Sequence, residues 1–518
     1  MDYIKNNKLK IIGLTAILLL ASFFYFYHIT QKGFFNTDEA LFVLMADSYS
    51  RIPCIAFDYI FNAKGHLQNI VEKYLPGLIF FSTSERPLHI FLNTLGIWLF
   101  GRNDFSAFII NGLVSLGAVL ILYLIVKAIT QDFKKALLAS FLFAISGYQI
   151  YFVRGGFSQV LAGFFMLFGS LFYLKTLSET NDFYNVKIRK NLIRAGFLWG
   201  LMLMSHYNTV PILFLIFIFE MLFCWFFYNH SITLLFKRLV CLMVPFFGIL
   251  FAVQIFTVLR NYFLIKAGYP HRVDTYFDDI KSVYKKLVEY QQMGVGNYRF
   301  FIEMLKNLNG WPYLILFLVS PLVFLYKKWH QNAALSFVFF VTFLNFILIS
   351  LCWVTVTRTA VPIGGLISLI AALVFYEIII YFRSHKIVVA MIFLALLIPQ
   401  FKIDWQIVNL KSGYKEAAQF LKTINFPKED VYSGSWPILA FYLNEKVQIL
   451  NRQSAYIYYV ADWHTDQFYL DLIKNGGQLI ATFENPAYDF IPVQGDATPI
   501  YSFTDVPEKI KIYKVKMR

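Results

Sequence analysis

Two adjacent carboxylates, Asp38 and Glu39, follow the charge-free apolar run Ile11 to Tyr27 at a distance of about ten residues. Neighbouring residues on an extended or turn backbone point in different directions, so one acid can face a reactant while the other contacts a partner. A third acid comes with a cation in Ser84-Glu85-Arg86-Pro87-Leu88. Pro87 is suited to begin a helix, and the residue before a proline favours extended geometry, which predicts a rigid corner at Glu85-Arg86. An Asp with a reference pKa of ~3.9 is ionised at neutral pH and can accept a proton from a hydroxyl. A guanidinium fork matches a phosphate in two-point hydrogen bonds. Acids beside a cation at a membrane surface therefore suit chemistry on a phosphorylated lipid.

The elements that must hold these residues are membrane helices. The chain has 518 residues, is 58% hydrophobic and 19% aromatic, and has a mean hydropathy of +0.57. Soluble chains are nearer 45–50% apolar. The net charge of +15 would raise nucleic-acid binding in a soluble protein. Here the basic residues fall in short loops between apolar runs, where they set topology, and no nucleic-acid partner is expected. The four cysteines show neither a disulfide framework nor zinc spacing. Phe23 to Tyr27 are bulky where a signal peptidase needs small residues, so the first run reads as an uncleaved anchor.

Spans of roughly 20 apolar residues cross a bilayer. Eleven are predicted, near 11–28, 105–126, 136–152, 157–174, 195–206, 208–228, 239–264, 310–326, 333–354, 360–382 and 387–401. With the N-terminus cytoplasmic, seventeen Lys and Arg fall in cytoplasmic segments, and the three short external turns hold only Arg154, His206 and Arg358. That asymmetry obeys the positive-inside rule, and it makes those three residues unusual. The first external loop covers 29–104, with an interfacial helix expected from Pro87 to Phe100. A second, 265–309, is a candidate lid or acceptor loop. After residue 401 no spanning run remains. A helix over Ser412 to Ile424, capped by Ser412, is followed by β-prone runs at Asp430–Ser433, Val447–Leu450, Gln478–Phe483 and Lys509–Lys516, with a helical stretch near Trp436–Leu443. The fold class is a polytopic α-helical membrane protein, residues 1–401, with a small extracytoplasmic α/β domain, residues 402–518.

Thr37-Asp38-Glu39-Ala40 after the first span resembles the start of the first external loop in the GT-C glycosyltransferases. Glu85-Arg86-Pro87-Leu88-His89-Ile90-Phe91, followed by Leu99-Phe100-Gly101, resembles their Pro-Pro-Leu…Phe-Gly pattern, with Leu88 where the family often has a second proline. Val361-Pro362-Ile363 resembles a further recurring segment. The likeness is to glycosyltransferase family 39, which includes protein O-mannosyltransferases and the aminoarabinose transferases of lipid A. It implies a polyprenyl-phosphate-linked sugar as donor and a lipid, glycan or protein acceptor, in the plasma (inner) membrane. Asp38 is then the general base of an inverting displacement at the anomeric carbon. Glu39 and Glu85 are orienting or metal-binding acids, and Arg86, Arg154 and Arg358 are phosphate ligands. His206 and Tyr207 stand where the family has polar residues near the donor. Some relatives bind a divalent metal ion, for which Glu85, His89 and His271 are the candidate ligands.

Ordinary structural roles compete with several of these. Arg154 can snorkel to the interface, His206-Tyr207 can be an amphipathic anchor, and Asp274, Asp278 and Asp279 read as a solvated face, with Asp462-x-His464-x-Asp466 as a surface turn. A transporter or flippase of a lipid-linked saccharide is the alternative function. It predicts repeats and charges at the bilayer midplane, neither of which the sequence has. A nucleotide-sugar donor is disfavoured because no glycine-rich phosphate loop opens a helix.

Overall fold

The computed structural model describes residues 2–35, 37–61, 69–70, 86–178, 185–227, 232–266, 278, 281, 285, 298–352, 357–424, 431–443, 456–461, 467–485 and 509–516. The helices, in order, are α1 Asp2–Phe26, α2 Ile29–Lys32, α3 Thr37–Ser50, α4 Ile52–Phe61, α5 Pro87–Phe100, α6 Phe105–Thr130, α7 Phe133–Ala144, α8 Gly147–Arg154 and α9 Ser158–Ser178. They continue as α10 Val186–Ser205, α11 Val210–Phe227, α12 Ile232–Lys266, α13 Tyr298–Tyr326, α14 Ala333–Cys352, α15 Gly364–Tyr381 and α16 Lys386–Val408. The tail adds α17 Gly413–Thr423, β1 Val431–Ser433, α18 Trp436–Leu443, β2 Tyr456–Ala461, α19 Gln467–Lys474, β3 Gln478–Glu484 and β4 Lys509–Lys516.

Among the described residues nine helices are long and apolar enough to cross a membrane, or ten if the bent pair α7–α8 is one span. About eleven were expected from the sequence. The expected span 195–206 is only the second half of α10, whose first half carries Lys187, Arg189, Lys190 and Arg194. The apolar part of α14 is likewise short, Ala333–Ile349. In the other direction, residues 37–61, expected to be loop, form the consecutive helices α3 and α4 and are long and apolar enough to span. The helix expected over Pro87–Phe100 is present as α5.

The bundle core is one apolar cluster running from α1 through α16. Among the described residues a buried ion pair crosses it. Arg238 of α12, 1% exposed, bonds Glu220 of α11 and, at 3.2 Å, the Thr176 hydroxyl of α9. Read from the sequence as a topology charge, Arg238 is instead sealed inside, and a fully partnered buried ion is tolerated because its hydrogen bonds replace water.

The tail holds a four-stranded sheet of order β1-β2-β4-β3. β1 pairs parallel with β2, and β4 pairs antiparallel with both β2 and β3. Ser412 caps α17 by accepting from the Tyr414 amide, and α18 and three strands appear where the sequence placed them. Strand β2 and helix α19 were not anticipated. Val447–Leu450 and the Asp462–Asp466 segment lie outside the described residues.

The tail is not a separate ball. A second apolar cluster joins Tyr414, Leu421, Ile438 and Leu439 of the tail to Phe34, Phe42, Ile90, Ile97 and Phe108 of the first loop and its flanking helices. α18 packs directly on α3, and α3 on α5.

Candidate active site

Asp38 and Glu39 occupy the first turn of α3, where the unpaired amides and the positive helix end favour acids. A helical rather than extended backbone turns the two side chains roughly 100° apart. Glu39 points inward. It is 3% exposed, accepts the Phe35 amide on Oε2 at 2.8 Å, and holds Lys32 Nζ on Oε1 at 3.3 Å. Lys32 also donates to the Gly33 carbonyl at 3.3 Å and lies over the Phe108 ring at 4.4 Å. Asp38 points the other way, with its side chain 19% exposed and Oδ2 at 3.8 Å from Arg86 Nη1.

Arg86 precedes Pro87 at φ −153°, ψ 56°, outside the helical region that a following proline disfavours but not in the extended geometry expected from the sequence. Its guanidinium stacks over Phe42 at 4.3 Å and lies 5.8 Å from the Tyr207 ring. The structure thus brings together Asp38, Arg86 and Tyr207, which the sequence placed in three different segments. His206, beside Tyr207, is fully buried. Its Nδ1 accepts the Asn208 amide at 3.1 Å, and its Nε2 lies 2.8 Å from Gln159 Nε2.

Arg154 is placed elsewhere. It is 1% exposed, and its Nη1 donates to the carbonyls of Phe24, Tyr25 and Tyr27, at 2.7 Å for the last, while Nη2 donates to Val408 at 2.9 Å. These are the carbonyls at the C-terminal ends of α1 and α16, which lack partners within their helices. Its terminal nitrogens are therefore engaged by main chain. Arg358 lies on the 3₁₀ segment Thr357–Ile363, and its side chain is outside the described set. Glu85 and His271 also lie outside the described residues.

His89, on the first turn of α5, faces inward. Its Nε2 lies 3.1 Å from Asn93 Nδ2, it hydrogen-bonds the Gly156 main chain, and Phe42 meets its ring edge to face. Burial, and then the charge of Arg86, push it down from its usual value to about 3. Its polar contacts are all internal, and among the described residues no group of three His, Cys, Asp or Glu side chains is placed to hold a metal ion.

Gly155 permits the approach of Glu39. A Cβ there would stand 2.3 Å from the Phe157 ring and 2.8 Å from Glu39 Oε1. Lys32 was missed from sequence. The available signal was a cation on the predicted external side, against the charge rule, seven residues before an acid.

No protein-family model matches the chain, and no curated sequence matches it either. Solved structures do. The aminoarabinose transferase ArnT from Cupriavidus metallidurans, bound to undecaprenyl phosphate, superposes with a TM-score of 0.55 at 10% identity, over 97% of each chain. Its apo form gives 0.54. The oligosaccharyltransferase AglB from Archaeoglobus fulgidus, in complex with an inhibitory peptide and a dolichol-phosphate, gives 0.57 at 12% identity. That match covers 82% of this chain but only 58% of the archaeal one. At such identities likeness speaks for architecture. Superposition over 97% of both chains at a TM-score of 0.55 shows that this chain has the GT-C fold.

Proposed function

We propose that the protein transfers a sugar from a polyprenyl-phosphate-linked donor to an acceptor hydroxyl at the extracytoplasmic face, with Asp38 as general base. The observation that carries this reading is the Asp38–Arg86–Tyr207 constellation, where α3 and α5 meet the turn between α10 and α11. The fold shared with a structure that holds undecaprenyl phosphate and one that holds a dolichol-phosphate supports the donor class.

The two acids divide the work by their surroundings. Glu39 has both oxygens engaged inside the protein and fixes the turn. Asp38 keeps solvent contact, and its 3.8 Å pairing with Arg86 is too long for a hydrogen bond. Arg86 presents its fork to a lipid phosphate, and Asp38 faces the acceptor. The acceptor oxygen forms the new bond at the anomeric carbon, and Asp38 takes its proton. The bond to phosphate breaks with its electron pair, and the charge gained there faces Arg86. One displacement inverts the sugar carbon. No step requires a metal ion. The sugar and the acceptor are set elsewhere, and a hexose and a pentose both fit this chemistry.

Losing a general base costs roughly 10²–10⁴ in rate. Cells carrying Asp38→Asn, compared by mass spectrometry of envelope glycans, lipids and proteins with wild-type cells, are expected to lack one defined sugar while the protein accumulates normally in the membrane. An unchanged profile sinks the reading.

A further inference from the structure

The four residues Lys32 to Phe35 are held from two sides. From within, Glu39 takes the Phe35 amide and the Lys32 ammonium. From the tail, Ser412 donates its amide to the Lys32 carbonyl at 2.7 Å and its hydroxyl to the Phe34 carbonyl. The Phe34 amide donates to the Tyr442 hydroxyl at 3.0 Å, and that hydroxyl donates to Asp104 Oδ2 at 2.8 Å. Asp104, 4% exposed, also takes Lys415 Nζ at 3.1 Å. Gly33, at φ +69°, completes the contact, since a Cβ there would lie 3.1 Å from both Ser412 Cβ and the Tyr442 hydroxyl. Consecutive amides of one short segment are therefore bound by the tail at Phe34 and by the catalytic-turn acid at Phe35.

We infer that Tyr442, held by Asp104, is a positioning residue through which the tail domain sets the acid-bearing turn. This rests on the sugar-transfer reading only for the meaning of the turn. The physical coupling is a property of the segment itself. A four-residue segment has few soft dihedrals, so freeing one amide loosens its neighbour. Coupling of this kind is reciprocal: a change at Glu39 must be felt at Tyr442 as a change at Tyr442 is felt at Glu39.

The test uses the full chain in lipid nanodiscs, with hydrogen–deuterium exchange read by mass spectrometry at single-amide resolution. Tyr442→Phe is expected to speed exchange at Phe35, not only at Phe34, by about tenfold, the scale of one lost buried hydrogen bond. Amides of α13 to α15 stay unchanged. With Tyr442 intact, Asp104→Asn, which keeps an acceptor for the Tyr442 hydroxyl, leaves exchange slow at both amides, while Asp104→Ala speeds it. In the reverse direction Glu39→Gln speeds exchange at Phe34. Binding of undecaprenyl phosphate, read by intrinsic tryptophan fluorescence, weakens about tenfold in Tyr442→Phe and Asp104→Ala and not in Asp104→Asn. Faster exchange confined to Phe34 overturns the coupling and leaves the sugar-transfer reading standing. Normal coupling with no binding of undecaprenyl phosphate by the wild type overturns that reading, and the catalytic meaning of the coupling with it. Should Tyr442→Phe fail to fold, the Asp104→Asn and Asp104→Ala pair carries the same comparison.

Discussion

Individual side chains of this site are distinguished by what surrounds them rather than by their type. Asp38 and Glu39 are expected from sequence to diverge, Asp38 as the base and Glu39 as an orienting or metal-binding acid. The first turn of α3 separates them, one toward Arg86 and one into a cavity closed by Lys32 and the Phe35 amide. Their separation was foreseeable in kind. Which one turned inward depends on Lys32, marked in the sequence by its place on the external side against the charge rule, seven residues before Glu39. His89 shows the limit of a local signal. As an isolated histidine beside an acid it resembled a metal ligand, yet it is buried against Phe42 and Asn93. That burial makes a prediction with a definite sign. Its proton affinity in the folded protein is lowered to about 3, against 6.5 for a free side chain. Between those values the unfolded chain binds more protons than the folded one, so stability falls as pH falls through 6.5 toward 3, and His89 contributes no such loss above 6.5. Thermal unfolding of the purified protein in detergent should show a midpoint that drops from pH 7.5 to pH 5, with a shallower drop in His89→Gln. Parallel curves for the two proteins would mean that His89 is not held neutral by the fold.

At the scale of elements, the interfacial helix, the capped helix after Ser412 and most tail strands could be read from the chain because their signals are local. They are a proline at the first helical position, a serine cap and alternating β-branched residues. Residues 37–61 were read as loop because their acids and Arg51 masked an apolar content that is enough to span. The role of Arg154 was hidden for a different reason. Its partners, at Phe24 to Tyr27 and at Val408, are more than a hundred residues away on either side, and it serves helix ends that no pattern in its own segment reveals. The turn that follows it carries the most exacting local requirement. Gly155 stands where a methyl group would press on Phe157 and on Glu39 at once. Gly155→Ala is expected to cost about 1–3 kcal/mol, the usual penalty for overpacking. It should also reduce sugar transfer more than its loss of stability explains, because Glu39 is one of the two atoms' owners that must move. Comparing its activity with that of Gly200→Ala, whose Cβ would meet only the Ile249 side chain at 3.0 Å, separates the two effects. Equal losses in both variants would leave Gly155 as an ordinary packing position.

The whole molecule is organised around a seam that composition could not show. Hydropathy divides the chain near residue 401 into a membrane part and a tail. That is not the division of the cores. The second apolar cluster takes Phe34, Phe42, Ile90, Ile97 and Phe108 from the first part and closes them with α17 and α18 of the tail. Burying a side chain of this size is worth about 1.5–3 kcal/mol, so exposing even several of these five would be felt by a domain whose total stability is roughly 5–15 kcal/mol. A chain ending at residue 411 keeps every apolar span and should still insert. Without the tail, α3 and α5 lose the cover on their shared face, and Asp104 loses both Tyr442 and Lys415. Limited proteolysis of the truncated protein in nanodiscs should therefore cut within residues 29–61 and 87–104 at protease concentrations that leave the full chain intact, while α6 to α16 stay protected. Undecaprenyl phosphate binding should fall with the loss of protection at α3 and α5, since Arg86 sits between them and depends on both. A truncated chain that resists cleavage in these segments and binds the lipid as the full chain does would show that the bundle orders α3 and α5 by itself, and the tail would then have to be understood as an acceptor-side module alone.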